Sequence, residues 1–302
     1  MKILVTGGRG FLGTYVCQML TEYGHQVIDT DVQGNGIHLD VTKLDEVTQL
    51  FKKVQPELVI HLAAVVGGGP SKAKPYQYFY VNTLGTLNVL EACRQNNILK
   101  LIYMSSFSPF GETSKPINEL TPFEPTNPYG GSKASVEFIV KTYSRCFNIK
   151  TIIFRACLIA GEGQKEYNAL QEFVDCALRS DPLLIFGSGE HKREWLHPID
   201  VVKAYVLGMQ YLQSMSRPFD IFNLGSGEPI SMRRLAEKII ETSASSSKVI
   251  HKRSCSATFD QVTDATKVRK KLRWKPEVRI SEIITRVVIW RKGLLNVQEN
   301  RS

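Results

Sequence analysis

The chain has 302 residues, 43% of them hydrophobic, which is enough to bury one large core or a core with a smaller lobe. No apolar run approaches the roughly 20 residues that cross a bilayer, and the first residues lead straight into a strand pattern, so a cytoplasmic chain that does not enter a membrane is expected. The formal charge of +9 is local: residues 248–302 carry 14 Lys or Arg against 5 Asp or Glu, and the remainder is neutral.

The apolar run Lys2-Ile3-Leu4-Val5-Thr6 leads into Gly7-Gly8-Arg9-Gly10-Phe11-Leu12-Gly13, and helical periodicity follows over Thr14 to Leu20. Strand, glycine turn and helix in that order suit a dinucleotide. Gly7, Gly10 and Gly13 would permit the tight turn, the backbone's approach to a pyrophosphate and close helix packing, while the helix N-terminus attracts the phosphate charge. A second apolar run, Gln26 to Thr30, ends at Asp31, roughly 20 residues on, where a carboxylate can accept from an adenosine ribose hydroxyl. Asp31 favours NAD over NADP, whereas Arg9 is placed to pair with a 2′-phosphate, so NADP stays open on the sequence.

Leu58-Val59-Ile60-His61-Leu62, Leu101-Ile102-Tyr103-Met104 and Thr151-Ile152-Ile153-Phe154 read as further short buried strands. Helical stretches such as Thr86 to Cys93 separate them. Alternation of this kind specifies a doubly wound parallel α/β sheet of Rossmann type. The Pro-rich stretch from Pro122 to Pro128 reads as a surface connection.

Pro128 opens a helix that puts Tyr129 and Lys133 at i and i+4 on one face. A phenol with a pKa of about 10 is a poor base at neutral pH, and a nearby cation favours the phenolate. Beside a dinucleotide loop, such a pair suggests redox chemistry on a hydroxyl.

The six cysteines, Cys17, Cys93, Cys146, Cys157, Cys176 and Cys255, lack metal-ligand spacing, so reduced thiols and no metal are expected. In Lys267-Val268-Arg269-Lys270-Lys271-Leu272-Arg273 apolar residues recur at helical spacing, which describes a solvated helix face rather than a nucleic-acid surface. Attraction of an anionic nucleotide would be a secondary effect of this charge.

Taken in order, these segments resemble the extended short-chain dehydrogenase/reductases of the nucleotide-sugar epimerase and dehydratase group. The resemblance runs nearly end to end. It is carried by the glycine loop, Leu39-Asp40-Val41, His61-Leu62-Ala63-Ala64, Asn82-Thr83-Leu84-Gly85-Thr86, Ser105-Ser106, Tyr129 with Lys133, Arg193 to Asp200, Asn223 to Gly227 and Leu272 to Pro276. The resemblance implies a cofactor site of Gly7, Gly10, Phe11, Leu12, Gly13, Asp31, Asp40, Val41, Leu62, Ala63, Ala64, Asn82, Tyr129 and Lys133. It implies that Tyr129 exchanges a proton with a sugar hydroxyl, that Lys133 holds the nicotinamide ribose and lowers the tyrosine pKa, and that Ser106 hydrogen-bonds the reacting oxygen.

Sugar dehydratases and decarboxylases of the group place an acid just after the catalytic serine; Phe107 and Ser108 stand there instead. Ser106-Phe107-Ser108 is similar to the arrangement in 4-epimerases, which oxidise one carbon and return the same hydride. A reductase of 4-keto sugars remains the alternative, with a dehydratase or a catalytically silent dinucleotide-binding protein behind it. Two departures leave the nucleotide and sugar open. Leu158 stands where an asparagine meets the substrate diphosphate, and the late Arg-x-Gly-Asp segment is missing, with only Lys252 and Arg253 before Asp260. Arg193 is the remaining diphosphate candidate, beside Ser106 and Ser108 as substrate-binding residues.

The domains expected are 1–165 for the dinucleotide, with a returning segment near 197–225, and a discontinuous lobe over 166–302 that closes on the substrate. The resemblance also implies a homodimer through helices near 83–96 and 129–146.

Overall fold

A computed structural model describes residues 1–113, 115–165, 168–253 and 259–299. Its first half alternates strand and helix: β1 (Lys2–Thr6), α1 (Phe11–Glu22), β2 (Gln26–Asp31), β3 (Ile37–His38), α2 (Leu44–Val54) and β4 (Leu58–His61). Two single turns, α3 (Gly68–Ser71) and α4 (Pro75–Tyr78), lead through a π-helical turn, Phe79–Leu84, into α5 (Gly85–Gln95). Then come β5 (Lys100–Ser106), α6 (Pro128–Phe147) and β6 (Lys150–Ala156).

The second half is built of shorter pieces. They are β7 (Leu158–Ile159), α7 (Ala169–Leu178), β8 (Leu183–Phe186), β9 (Lys192–Arg193), β10 (Trp195–Leu196), α8 (Pro198–Ser214), β11 (Phe219–Leu224), β12 (Ile230–Ser231), α9 (Met232–Ser243), β13 (Val249–Lys252), α10 (Thr266–Leu272) and α11 (Ile280–Glu299).

Seven strands form one parallel sheet in the order β11-β6-β5-β4-β1-β2-β3. Strand residues alternate between two buried faces. Ile3, Val5, Leu58, Ile60, Ile102, Ile152 and Phe154 pack with Val16 and Leu20 of α1 and with Val201, Val202 and Tyr205 of α8. Leu4, Val59, Leu101, Tyr103 and Ile153 pack on the other side with Val47 and Phe51 of α2, Val89 of α5, and Val136 and Val140 of α6. Burial on both faces explains why these strands read as continuous apolar runs.

The order of the strands reverses between β1 and β4, which opens a crevice at their carboxyl ends, where α/β sheets bind ligands. A third cluster is formed by α7, α9 and α11, with Phe173, Leu235, Ile239, Ile283 and Val287 at its centre. It stands beyond the sheet's end with three two-stranded pairs, β7 with β10, β9 with β12 and β8 with β13. Asp200 joins α8 to the chain beyond α10: its carboxylate accepts from the amides of Glu277 and Val278, at 3.1 and 3.0 Å, and its carbonyl accepts from Trp274 Nε1 at 2.8 Å. On α10, Val268 and Leu272 are buried and Arg269, Lys270 and Lys271 are exposed, the arrangement of a solvated helix face.

Candidate active site

A cavity of about 480 Å³ lies over the crevice, between the sheet's carboxyl edge and the segments that follow β6. Gly7, Gly10, Phe11, Leu12 and Gly13 line one end, and Leu62 and Ala64 continue it from β4. The cradle fits a dinucleotide. A side chain at Gly13 would lie 2.1 Å from the Gly7 carbonyl oxygen, and one at Gly7 would lie 2.7 Å from the Ala63 amide nitrogen, so the loop holds its shape only with glycine. The N-cap of α1, Gly10, has no side-chain hydrogen bond, which leaves the first amides of a twelve-residue helix for an anion.

The expected adenosine end lies beside the cavity rather than in its wall. Asp31 accepts from the amides of Arg9 and Gln33, both at 3.1 Å, and Arg9's guanidinium is ion-paired with Asp29. Arg9 is thus engaged by a carboxylate rather than waiting for a 2′-phosphate. Asp40 accepts from the amide and hydroxyl of Thr42, and Val41 is buried against Gly85. Asn82 ties the segment after β4 to α6, accepting from the Val65 amide at 2.8 Å and donating to the Val65 carbonyl and to Ser132 Oγ, each at 3.0 Å.

Ser106, Tyr129 and Lys133 share one wall. Ser106 ends β5, and Tyr129 and Lys133 stand on the first turns of α6, which starts where Asn127 caps the Gly130 amide at 2.9 Å and Pro128 occupies the first helical position. Burial pushes the Tyr129 phenol up to about 12; a hydrogen bond with Ser106 pulls against this, and Tyr78 adds to it. Tyr78 meets the Tyr129 ring edge-on at 6.0 Å. Lys133 is buried and donates to the Met104 carbonyl at 2.9 Å, with its nitrogen 4.8 Å from the centre of the Tyr103 ring. Burial lowers its pKa to about 7, against the pull of Glu137 one turn on.

Behind this wall Glu137 is fully buried and bidentate on Arg155, at 2.8 and 2.7 Å, and it accepts from Ser105 Oγ at 2.7 Å. The pair fixes the backbone next to Ser106.

The opposite end is lined by Phe107, Ser108, Cys157, Leu158, Gln164, Asn168, Arg193, Glu194, Phe259 and Gln261. Arg193 stacks on Phe259 with its guanidinium carbon 5.2 Å from the ring centre, and it donates to the carbonyls of Lys192 and Phe259. Burial lowers its pKa, against the pull of Asp260. Glu194 is buried and accepts from the amides of Gly227 and Thr263, at 2.7 and 2.6 Å, so it holds this end together. Lys252 and Arg253 are exposed on and just after β13 and stand outside the lining.

Sequence reasoning did not assign Asn127, Gln164, Asn168, Phe259 or Gln261 to the site. Asn127 carried a signal, as the cap before a helix-opening proline. The others carried none, because they come to the cavity from loops. Among the described residues no group of His, Cys, Asp and Glu could hold a metal, and five cysteines are free thiols; Cys255 lies outside the described residues.

A glycine loop at the switch point, facing a serine, tyrosine and lysine on one wall, defines an extended short-chain dehydrogenase/reductase. The chain belongs to the NAD dependent epimerase/dehydratase family, whose model matches residues 3–225. It is 29% identical to a UDP-glucose 4-epimerase from Streptococcus mutans over the full length of both. Among solved structures it is similar to the UDP-glucose 4-epimerase of Thermotoga maritima with UDP-glucose, at 28% identity and a TM-score of 0.90, covering 98% of this chain and all of that one. The UDP-glucose 4-epimerase of Thermus thermophilus in complex with NAD is 26% identical with a TM-score of 0.87, covering 97% of this chain and 99% of that one. NAD is the cofactor the cradle serves, and the protein is an enzyme.

Proposed function

We propose that this enzyme is a nucleotide-sugar 4-epimerase. The observation that carries the reading is the wall of Ser106, Tyr129 and Lys133, followed by Phe107 and Ser108, in which no carboxylate stands to assist water elimination. Tyr129 takes the proton of the sugar 4-hydroxyl during oxidation and returns it during reduction, and Ser106 hydrogen-bonds the same oxygen. Bound NAD would supply the hydride acceptor and, when oxidised, a positive charge that favours the phenolate. Lys133, already fixed at the Met104 carbonyl, would hold the nicotinamide ribose. Arg193 binds the substrate diphosphate at the other end. Leu158 leaves one donor fewer there and keeps the nucleotide unassigned, with UDP the first to test because similar proteins carry its name.

Residues 1–165, with the return near 197–225, form the cofactor domain in this reading, and the lobe over 166–302 closes on the sugar nucleotide. Helices α5 and α6 are joined by Tyr143 donating to Glu91 at 3.2 Å, and α6 exposes Phe138 on its outer side; we assign the outer face of these two helices to a homodimer. Light scattering on the purified enzyme tests that assignment. Free thiols and the absence, among the described residues, of a helix able to cross a membrane support a cytoplasmic enzyme.

The deciding experiment incubates the purified protein with UDP-glucose, UDP-galactose and other nucleotide sugars, with and without added cofactor, and follows products by NMR. Interconversion of 4-epimers without added cofactor supports the reading. Stoichiometric consumption of NAD(P)H, or release of a 4-keto-6-deoxy product, overturns it in favour of a reductase or a dehydratase.

A further inference from the structure

Glu162 follows β7 in the segment Gly161–Gln164, which borders the cavity. About a third of its side chain is exposed, at 32%, yet it is engaged by residues from three separate elements. Tyr15 of α1 turns its hydroxyl to the Glu162 carbonyl at 3.0 Å, with carboxylate Oε2 at 3.3 Å. His197, the residue that caps α8, places Nε2 2.8 Å from the same Oε2. Its Nδ1 accepts from the Ile199 amide at 3.3 Å, which leaves Nε2 to donate to Glu162. From α11, Arg286 brings Nη1 to 3.6 Å from Oε1, and that arginine is itself held by Glu282.

These contacts reach both ends of the cavity. The Tyr15 ring meets Phe11 edge-on at 5.8 Å, and Phe11 lines the cofactor end. Two residues beyond Glu162, Gln164 lines the opposite end; it is buried, and its Oε1 accepts from Gln171. Arg291 of α11 reaches the Gln164 carbonyl at 3.5 Å.

We propose that Glu162 is a positioning residue: by clamping Gly161–Gln164 to α1, α8 and α11 it holds the Gln164 amide at the substrate end, in register with the cofactor loop, and thereby sets affinity for the sugar nucleotide. It touches neither the reacting carbon nor Tyr129. The proposal rests on the epimerase reading, and its test separates the two.

Glu162→Ala and Glu162→Gln are purified with their bound NAD and compared with the wild-type enzyme. Glu162→Ala is expected to raise KM for the turned-over nucleotide sugar roughly tenfold, with kcat within about twofold and NAD content unchanged. Glu162→Gln keeps an acceptor for His197 and Tyr15 and is expected to restore most of the affinity. An unchanged KM in Glu162→Ala overturns the proposal. So does a joint fall of kcat, NAD content and melting temperature that glutamine fails to rescue, because that pattern describes a general prop. If the wild-type enzyme turns over no nucleotide sugar, the epimerase reading fails and the clamp is judged by amide hydrogen exchange. Faster exchange confined to Gly161–Gln164 in Glu162→Ala then supports the clamp, and exchange equal to wild type sinks it.

Discussion

The two ends of the cavity are built differently. At the wall proposed to be catalytic the three side chains stand on long regular elements: Ser106 ends a seven-residue strand, and Tyr129 and Lys133 open a twenty-residue helix. At the far end the lining comes from two-residue strands and loops, and Arg193 is steadied by carbonyls and one aromatic ring. A reaction that moves a proton and a hydride needs geometry fixed to fractions of an ångström, which long elements supply. Recognition of a substrate tolerates more variation, and loops accommodate it.

The largest effect expected from breaking one end without the other comes from Tyr129→Phe. Loss of the acid/base group should lower kcat by roughly 10²–10⁴ while bound NAD and the KM for the nucleotide sugar stay near wild type. Turnover within a few-fold of wild type in a kinetic assay would sink the mechanism.

Glu137→Ala comes next, because it strands the Arg155 guanidinium in a fully buried site and frees Ser105. The cost should be about 3–5 kcal/mol, read by denaturant unfolding, and activity should fall with the folded fraction. A loss below about 1 kcal/mol would show that water reaches Arg155 when its partner is gone.

The catalytic wall has a cost of its own that pH exposes. Lys133 has a pKa of about 7 in the folded protein and its ordinary, higher value when unfolded. Between those values the unfolded chain holds a proton that the native chain has released, so this lysine's contribution makes stability rise with pH across the window; below about pH 7 the full penalty of a buried charge is present. Lys133→Met should therefore raise the melting temperature of cofactor-free protein at pH 7 and abolish that part of its pH dependence, while greatly reducing kcat. Thermal unfolding between about pH 6 and 9 checks the sign; a variant less stable than wild type at pH 7 would mean that the bond to the Met104 carbonyl outweighs the buried charge.

How much of this was legible in the sequence follows the same division. The runs at Lys2–Thr6 and Gln26–Asp31 match β1 and β2 residue for residue; β1 reads as an apolar run because it is buried, whereas β2, nearer the sheet's edge, is only partly buried and carries Asp29 and Asp31. The glycine loop and the Tyr129 to Lys133 spacing are local patterns and read directly. Lys252 and Arg253 illustrate the limit: charge and position suggested a diphosphate site, but β13 pairs with β8 at an edge where both residues face outward. Glu162 was unreadable for a related reason. Its bond to Tyr15 joins positions 147 residues apart, and no local periodicity encodes such a contact. The buried partnership of Glu137 with Arg155 was equally silent, since a glutamate one turn after Lys133 looks like any helical surface pair.

The smallest predicted effect bears on the looser end. Leu158 lines the cavity from β7 where an amide would meet a diphosphate, and it is only partly buried, so an asparagine there need not bury an unsatisfied group. If the diphosphate lies between Leu158 and Arg193, Leu158→Asn adds one hydrogen bond to a charged acceptor, worth about 1 kcal/mol after desolvation, and KM should fall by roughly three- to tenfold with kcat unchanged. The change is expected to act on recognition, because neither leucine nor asparagine at this position exchanges a proton with the sugar. A KM that stays the same would place the diphosphate elsewhere along the cavity. A kcat that falls instead would mean that the two ends are coupled more tightly than their construction suggests, with the loop end helping to align the sugar for hydride transfer.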